Sequence, residues 1–346
     1  MPVEKKNIRN LDFSELEAYF KKIKEKPFRV KQVYDWIWLK HATQFEHFYN
    51  VPKELINKLK EDFIIPCLTI DKTQTSIDGT MKFRFKTWDN FFIEGVLIPQ
   101  RERYTACISS QIGCSLDCTF CATGKMKLKR QLQFDEIYDQ VQYINKVSVE
   151  KFDKKITSIV FMGMGEPLLN YSNVMKAIEK ICLPSVFGMS PKRITISTSG
   201  IVKMIKKMAD DNSKCNLAIS LHATNDLKRS KLMPINQSNN IKALFESINY
   251  YYTKTKNRIT LEYVLLKDVN DTIDDAKELV HLYKKNIISF INLIEYNPIE
   301  DSSFIKSSED STQVFLKYLQ DLKINVRLRR SRGKEIDAAC GQLANK

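Results

Sequence analysis

Residues 105–121 of the 346-residue chain read TACISSQIGCSLDCTFC, and this stretch decides the fold. It opens with a short apolar run typical of a buried β-strand. The loop that follows carries three cysteines, Cys114, Cys118 and Cys121. In parallel α/β folds, loops at the carboxyl ends of the strands build the active site. We therefore take this strand as the start of the main domain and its cysteine loop as part of the functional site.

The pattern of a strand followed by a helix repeats along the rest of the chain. Short apolar runs predict strands at residues 105–110, 157–163, 193–200, 216–222, 258–266 and 291–297. Helical periodicity predicts helices at residues 135–149, 171–182, 241–254, 271–285 and 309–322. This alternation predicts a parallel sheet, and six units are too few for a closed eight-unit barrel. We therefore predict an α/β fold with an open, partial (β/α)6 barrel.

Two smaller regions precede the barrel. Residues 1–66 contain amphipathic stretches such as DFSELEAYFKKI and PKELINKLKEDF, which predict a small N-terminal helical domain. Residues 67–103 change to a strand-like pattern split by turn signals at DGT and WDN, which predicts a β-hairpin extension. The barrel then occupies residues 104–346. Its last residues are small and include Gly341, so we expect a mobile C-terminal tail.

The C-x3-C-x2-C spacing limits what the three cysteines can bind. Thiolates favour iron–sulfur clusters or zinc. A four-iron cluster held by three cysteines has one open iron, which can bind the amino and carboxylate groups of S-adenosylmethionine (SAM). The spacing resembles the signature of the radical SAM enzymes, so we expect a 4Fe-4S cluster on Cys114, Cys118 and Cys121. The alternative is a zinc site completed by Cys107 or Cys340, although structural zinc sites usually use paired C-x2-C knuckles.

Polar residues at the ends of other predicted strands should face the same opening of the barrel. In GMGEPLLN, residues 163–170, Gly165 allows a ligand to approach the backbone closely, and Glu166 offers a carboxylate suited to the amino group of SAM. The other candidates for binding SAM are Ser197, Ser220, Leu221, His222 and Asn297. The plainer alternative for each is a capping, turn or core-edge residue.

The balance of charge points to a polyanionic partner. The chain has 55 Lys and Arg residues against 41 Asp and Glu residues, which gives a net charge of +14. A small acidic substrate needs one or two basic residues rather than a global excess, so nucleic acid is the simplest explanation. The alternative is a lysine-rich composition without a function. A basic stripe near the tail is either a phosphate-binding surface or a solvated edge strand: Arg327, Arg329, Arg330 and Arg332.

The sequence also suggests where the protein works. Its first residues lack the apolar core of a signal peptide, and no apolar run approaches the length of a membrane span. We therefore expect a soluble, cytoplasmic protein that does not bind membranes. Eight cysteines in that compartment suggest metal ligands or catalytic thiols rather than disulfides. Cys67, Cys182 and Cys215 lie in apolar surroundings and are predicted to be small core residues.

Taken together, the motifs resemble the RlmN/Cfr family of radical SAM RNA methyltransferases from residue 26 to the C-terminus. The motifs that carry this resemblance are CISSQIGC, CTFCATG, FMGMGEPLLN, STSG, SLHA, MPIN, EYVLL, NLIEYNP and DAACGQLA. The resemblance implies methylation of carbon 2 of an adenosine in 23S rRNA and of an adenosine next to the tRNA anticodon. One alternative within the family is a Cfr-like enzyme acting on carbon 8. An alternative from another class is a non-catalytic, zinc-stabilised RNA-binding protein.

The resemblance also implies roles for three further residues and a set of partners. Cys340 would carry a methyl group as S-methylcysteine, Cys107 would form a disulfide with it to release the product, and Glu94 would remove a ring proton. Two SAM molecules would be used per turnover, with electrons from a flavodoxin-type donor. The target base must leave its stack to reach the barrel. We further expect the enzyme to be a monomer.

Overall fold

The structure, a computed structural model, describes residues 5–345. Its helices are α1 Phe13–Lys22, α2 Phe28–Trp38, α3 Lys53–Asp62, α4 Phe134–Phe152, α5 Tyr171–Cys182, α6 Val202–Asp210, α7 Asp226–Leu232, α8 Ile241–Thr255, α9 Ile273–Lys285 and α10 Glu309–Asp321. Its strands are β1 Lys6–Asn7, β2 Phe63–Ile64, β3 Thr69–Thr75, β4 Met81–Lys86, β5 Phe92–Gln100, β6 Arg103–Cys107, β7 Gln111–Ile112, β8 Arg130–Gln131, β9 Ser158–Phe161, β10 Ile194–Thr198, β11 Asn216–Ser220, β12 Ile259–Leu265, β13 Phe290–Glu295 and β14 Val326–Arg329.

Ten of these strands form one open sheet in the order β14-β13-β12-β11-β10-β9-β6-β5-β4-β3. From β6 to β14 all neighbours are parallel, as the alternation of strands and helices predicts. Every residue of β12 and β13 is buried, which explains why these segments are almost continuously apolar. The prediction of an open α/β barrel is confirmed, and each of the six predicted strands corresponds to an observed one.

The sheet contains one parallel strand beyond the six predicted. This strand, β14, pairs with β13 in the register Ile291 to Val326 and Leu293 to Leu328. Its sequence VRLR alternates apolar residues with arginines, which is the pattern of an edge strand with one polar face. The arginines of the basic stripe therefore lie at the free edge of the barrel and just beyond it.

The β-hairpin region continues the barrel sheet rather than standing apart from it. Strand β5 pairs antiparallel with both β4 and β6. The register places Glu94 opposite Arg84 and Val96 opposite Cys107. The first barrel strand thus joins the hairpin through backbone hydrogen bonds. The division of the chain at residues 66 and 103 stays a prediction.

The N-terminal helices pack onto helix α4 through an ion pair and an aromatic contact. Arg9 is 4% exposed, and its Nη2 lies 2.6 Å from Oδ1 of Asp139. Its Nε lies 4.0 Å from Oδ2 of Asp135. Trp38 stacks on Phe134 with ring centroids 5.9 Å apart. Between residues 5 and 345, no helix is both long and apolar enough to span a membrane.

Candidate active site

The cysteine loop leaves the barrel after the first parallel strand and is closed at its base by the β7–β8 ladder. Cys114 is buried, and Cys118 and Cys121 are half-buried. The backbone N–H of Cys121 donates to the carbonyl of Cys118 at 3.2 Å. A Cβ on Gly124 would lie 2.7 Å from that same carbonyl oxygen, so this turn has no space for a side chain. The tight turn keeps the second and third cysteines close together.

The three thiols influence one another electrostatically. Burial raises the pKa of Cys114 to about 11, and the nearby Cys121 adds to that effect. Burial is also the main cause that raises the pKa of Cys118, followed by the charges of Cys121 and Cys114. A bound cation would replace the protons and relieve this repulsion. Within residues 5–345 no three acidic, histidine or cysteine side chains are already placed to hold a single metal ion. Three neighbouring thiols, two of which line an open cleft, match the donor set of a cluster with one free iron.

That cleft has a volume of about 160 Å³ and lies at the carboxyl ends of the parallel strands. Cys118 and Cys121 lie on its wall. The same wall contains six of the residues that the sequence predicts to bind SAM: Gly165, Glu166, Ser197, Ser220, His222 and Asn297. The seventh, Leu221, is fully buried and does not line the cleft. Its side chain belongs to the core, and its carbonyl accepts a hydrogen bond from Arg229.

Glu166 is oriented by backbone groups from two elements. One carboxylate oxygen accepts the N–H of Leu168 at 3.0 Å, and the other accepts the N–H of Ser199 at 2.8 Å. Burial raises the pKa of this carboxyl, while the two backbone hydrogen bonds oppose the rise. Gly165 has φ +92°, and a Cβ there would lie 2.4 Å from the Cβ of Gln111. The backbone at this position can therefore accept only glycine.

His222 is neutral in the cleft. Its Nδ1 accepts the backbone N–H of Val264 at 3.0 Å, so that nitrogen carries no proton. Burial lowers the pKa of His222 to about 3, and the charge of Arg229 contributes in the same direction. The residue also has φ +55°, in the left-handed region, and its carbonyl accepts a hydrogen bond from Asn270 at 2.7 Å. This histidine offers the cleft an uncharged ring.

The C-terminal tail, which we predicted to be mobile, makes hydrogen bonds to the cysteine loop and to Asn297. Nδ2 of Asn297 donates to the carbonyl of Cys340 at 3.3 Å. The N–H of Ala122 donates to the carbonyl of Gly341 at 2.7 Å. The hydroxyl of Thr123 donates to the carbonyl of Leu343 at 2.6 Å. The cysteine loop itself thus holds the tail and places Cys340 on the wall of the cleft.

Glu94 holds the end of this tail. It is fully buried, and its Oε2 accepts the backbone N–H groups of Ala344 at 2.9 Å and Asn345 at 3.0 Å. Its Oε1 lies 3.2 Å from Nζ of Lys82, an ion pair without hydrogen-bond geometry. Glu94 lines neither the cleft nor the larger cavity described next. Its role as a proton acceptor stays a prediction, and it requires residues 344–345 to move aside.

Cys107 and Cys340 both line a second, larger cavity of about 1100 Å³ in the barrel interior. Arg329 and Cys340 line both this cavity and the cleft, so the two spaces adjoin. Burial raises the pKa of Cys107 to about 12, and Cys340 adds to the rise while Arg329 opposes it. The charge of Cys340 is in turn the main cause that raises the pKa of Arg329. The guanidinium of Arg329 therefore interacts electrostatically with the thiols of both Cys107 and Cys340.

Sequence reasoning missed Arg229, which supports the rim of the cleft. Its guanidinium is fully buried and donates to the carbonyls of Ser199 at 2.6 Å, Ser220 at 3.1 Å and Leu221 at 3.1 Å. It thereby ties together the ends of strands β10 and β11. In the sequence it stands in the basic run LKRSKL, where it looks like a solvated charge. Its only distinguishing signal is the MPIN motif that follows.

Comparison with known proteins agrees with this geometry. Residues 108–282 match the model of the radical SAM superfamily, and residues 6–65 match that of the ribosomal RNA large subunit methyltransferase N-terminal domain. A probable dual-specificity RNA methyltransferase RlmN from Christiangramia forsetii is 51% identical over 99% of this chain and 97% of its own. The protein of the same name from Bacillus licheniformis is 38% identical over 99% and 94%.

A solved structure extends the match to three dimensions. A radical SAM methyltransferase from Sphaerobacter thermophilus superposes with a TM-score of 0.92 at 35% identity. The match covers 99% of this chain and 100% of that one. Both ends of the chain and the whole barrel are therefore shared with these relatives. The chain belongs to the RlmN family of radical SAM RNA methyltransferases.

Proposed function

We propose that this chain methylates carbon 2 of an adenosine in 23S rRNA and of an adenosine in tRNA through an S-methylcysteine on Cys340. The observation that carries the proposal is the meeting of Cys340 with Cys107 beside the cleft that the sequence predicts to bind SAM. A plain methyltransferase needs neither thiol. Two SAM molecules per turnover and a flavodoxin-type electron donor complete the proposal, and the protein acts as a monomer.

The residues of the chain divide the task between them. Cys114, Cys118 and Cys121 would hold the cluster, and Glu166 would receive the amino group of SAM. When bound, the cluster would supply the electron for reductive cleavage of SAM. Cys340 presents the methyl group to be activated. Carbon 2 of adenine lies between two ring nitrogens and is electron-poor. This carbon is therefore a poor nucleophile toward a sulfonium methyl group but can accept the addition of a carbon radical.

Release of the product falls to Cys107. After the radical has added to carbon 2, the ring returns one electron to the electron-transfer partner and loses its ring proton. The thiolate of Cys107 then attacks the sulfur of Cys340, a disulfide forms, and the bond from that sulfur to the transferred carbon breaks. The electrons of that bond stay with the transferred carbon, which takes up a proton and becomes the methyl group of the product. The electron donor then returns two electrons to the disulfide. Because burial raises the pKa of Cys107 to about 12, the thiolate requires the nearby guanidinium of Arg329. Glu94 is our candidate for removing the ring proton.

Separate replacement of the two cysteines tests this mechanism. Cys340→Ala removes the methyl carrier, so neither a covalent adduct nor methylated RNA should form. Cys107→Ala keeps the carrier but removes the resolving thiol, so RNA should stay joined to the peptide containing Cys340. Mass spectrometry of nuclease-treated protein measures both results. Cys182→Ala, at the end of α5, is the matched control and should behave like the unmodified chain. Normal turnover without Cys107, or methylation without Cys340, contradicts the mechanism.

The position of the new methyl group needs its own measurement. Anaerobic incubation with SAM, a reductant and unmodified 23S rRNA or tRNA, followed by nucleoside chromatography, separates 2-methyladenosine from 8-methyladenosine. We expect only the 2-methyl product. The 8-methyl product would assign the chain to the Cfr-like activity instead. Iron content and absorbance in the blue region of the visible spectrum, measured on the same preparation, distinguish an iron–sulfur cluster from a zinc site.

A further inference from the structure

The large cavity has a second opening at the end of the barrel opposite the cysteine loop. Its wall includes the first residues of three parallel strands: Ser158 of β9, Asn216 of β11 and Phe290 of β13. Its other end reaches Cys107 and Cys340. The cavity therefore leads from the amino ends of the strands to the two reactive thiols.

Three arginines surround this second opening. Arg103 donates through Nε to the hydroxyl of Ser158 at 3.2 Å. Arg258 and Arg327 both lie over the ring of Phe290, with Cζ 4.1 Å and 4.4 Å from its centroid. Within residues 5–345, none of the three arginines has a carboxylate within the 4.0 Å of an ion pair. The group is a cluster of like charges without a close ion pair, and the charge of Glu262 offsets only part of the repulsion at Arg258.

The electrostatics of the cluster fit a site that receives an anion. Burial lowers the pKa of Arg103, and the charges of Arg327 and Arg329 lower it further. Burial and the charges of Arg327 and Arg103 do the same to Arg258. Phosphate groups would reverse this effect, because an opposite charge nearby favours the charged form. Two exposed basic residues on the wall of the cavity extend the positive surface outward: Lys192 and Arg193.

We propose that the amino-terminal end of the barrel is the RNA entrance, and that Arg103, Arg258 and Arg327 bind the phosphates next to an extruded target nucleotide. This inference rests on the proposed function. SAM would occupy the opposite, carboxyl end, where Glu166 lines the cleft and would repel phosphates. Arginines bind phosphate through paired N–H groups, and an unstacked nucleotide on a single-stranded segment is the form that can enter a cavity.

Replacement of the arginines tests the entrance. The probe is an unmodified RNA hairpin that carries the target adenosine, bound to the full-length, cluster-loaded protein. We expect Arg103→Ala and Arg258→Ala each to weaken binding about tenfold, as loss of a charged hydrogen bond does. The slope of log affinity against log salt should fall by about 0.7 for each lost contact. Arg258→Lys should keep most of the affinity. Lys206→Ala, on the exposed side of α6, removes the same charge and should change binding less than about twofold.

Variants at the rim keep the test decisive if one of the three arginines proves necessary for folding. Lys192→Ala and Arg193→Ala remove exposed side chains of the same cavity and should also lower the salt slope. Unchanged affinity and slope in both sets, in a preparation whose parent protein binds and methylates RNA, would overturn the entrance. A parent protein that methylates no RNA would instead refute the proposed function.

A second inference rests on Glu262, whose carboxylate is only half satisfied. Glu262 lies in β12 and is 3% exposed. Its Oε1 accepts hydrogen bonds from Thr260 at 3.1 Å and from Asn292 at 2.6 Å. Its Oε2 has no hydrogen-bond partner among the described residues, and Nη1 of Arg329 lies 4.0 Å away. Because a buried acceptor without a donor is costly, this oxygen indicates a missing ligand donor.

We infer that Oε2 of Glu262 accepts a hydrogen bond from the exocyclic amino group of the target base. Glu262 lines both the cleft and the large cavity, so it stands where SAM and RNA would meet. Adenine carries one such amino group, and its ring nitrogens only accept hydrogen bonds. A carboxylate at this point therefore selects adenine over a purine that lacks the amino group.

A thermodynamic cycle tests this reading of the base. Two hairpins are compared, one with adenosine at the target and one with purine riboside, which lacks the amino group. We expect the parent protein to bind adenosine about tenfold more tightly. In Glu262→Gln the amide oxygen should face Thr260 and Asn292, leaving an NH2 group in the cavity, so the preference should vanish. Thr260→Val, which touches only Oε1, should retain it. If Glu262→Gln keeps the tenfold preference of the parent protein for adenosine, the inference is overturned. A purely structural role of Glu262 would affect the binding of both hairpins equally.

Discussion

At the scale of single residues, His222 shows how burial can remove a charge from a functional cleft. Its ring lies edge-on to Phe120, with centroids 4.8 Å apart, and its Nδ1 is occupied by the N–H of Val264. A proton on that nitrogen would break the hydrogen bond and place a charge in the interior. The ring therefore contributes shape and polarity to the cleft, not acid–base chemistry at neutral pH.

This burial predicts a loss of stability in acid. The pKa of His222 is about 3 in the folded protein and about 6.5 when unfolded, so the unfolded chain binds more protons below pH 6.5. The contribution is fully present above pH 6.5 and is lost as the pH falls toward 3, by about 1.4 kcal/mol per pH unit. His222→Asn keeps an acceptor for Val264 and tolerates the left-handed backbone. Urea unfolding at pH 6.5 and 5 should show the parent protein losing about 2 kcal/mol more than the variant. Equal losses would contradict a neutral His222.

At the scale of elements, the β-hairpin acts as a clamp on the C-terminal tail. Glu94 of β5 receives two N–H groups of the tail, and Nη1 of Arg84 in β4 donates to the carbonyl of Asn345 at 3.0 Å. Nδ2 of Asn345 donates in return to the carbonyl of Phe92 at 2.9 Å. These contacts fix the end of the chain a few residues beyond Cys340. The position of the Cys340 thiol therefore depends on the hairpin as well as on the barrel.

Breaking the buried pair should loosen this clamp. Glu94→Gln leaves the ammonium of Lys82, which is 2% exposed, without a counter-ion, and loss of one partner of a buried pair costs about 3–5 kcal/mol. Urea unfolding measures that loss, and peptide mapping after alkylation should show Cys340 reacting at least about tenfold faster, a change worth about 1.4 kcal/mol. The double variant Lys82→Met, Glu94→Gln should recover part of the stability. Unchanged alkylation in Glu94→Gln would mean that the clamp does not position the thiol.

The elements also show what the sequence can and cannot predict. The barrel strands were predictable because buried strands are nearly continuous in apolar residues, and strand ends located six of the seven candidates for binding SAM. Helices α6 and α7 were not among the helices named from the sequence, because both are short. Helix α7 has only two apolar residues, and the apolar residues of α6 span little more than two turns. Arg229 and Glu262 were missed for a different reason. The sequence does not distinguish a buried charged residue from a solvated one. Only the folded chain shows which carbonyls or hydrogen-bond donors surround each of them.

At the scale of the whole molecule, the N-terminal helices are joined to the barrel by a buried charge. Arg9 supplies the only ion pairs of Asp135 and Asp139 seen within residues 5–345. Burial is the main cause that raises the pKa of Asp135, and Arg9 opposes it. The charged part of this connection is therefore one guanidinium placed between two carboxylates of the same helix, beside the aromatic contact of Trp38 with Phe134.

Removal of this guanidinium should destabilise the protein strongly. Arg9→Leu leaves two carboxylates without their partner, at a cost of about 3–5 kcal/mol. Lys31→Leu, on the exposed surface of α2, removes the same charge and should change the free energy of unfolding by less than about 0.5 kcal/mol. Urea unfolding of both variants measures the difference. Similar values for the two would show that Arg9 is dispensable for the junction.

The shared wall of the two cavities has a consequence for the order of events in turnover. The cleft and the large cavity share three lining residues, Cys340, Arg329 and Glu262. The barrel interior is therefore continuous between its two ends. If RNA enters at the amino ends of the strands and SAM at the carboxyl ends, bound RNA does not block the binding or release of SAM. Under the proposed mechanism, the products of SAM cleavage would depart and fresh SAM would arrive while the RNA is still joined to Cys340. Binding of RNA and exchange of SAM then need not follow a fixed order.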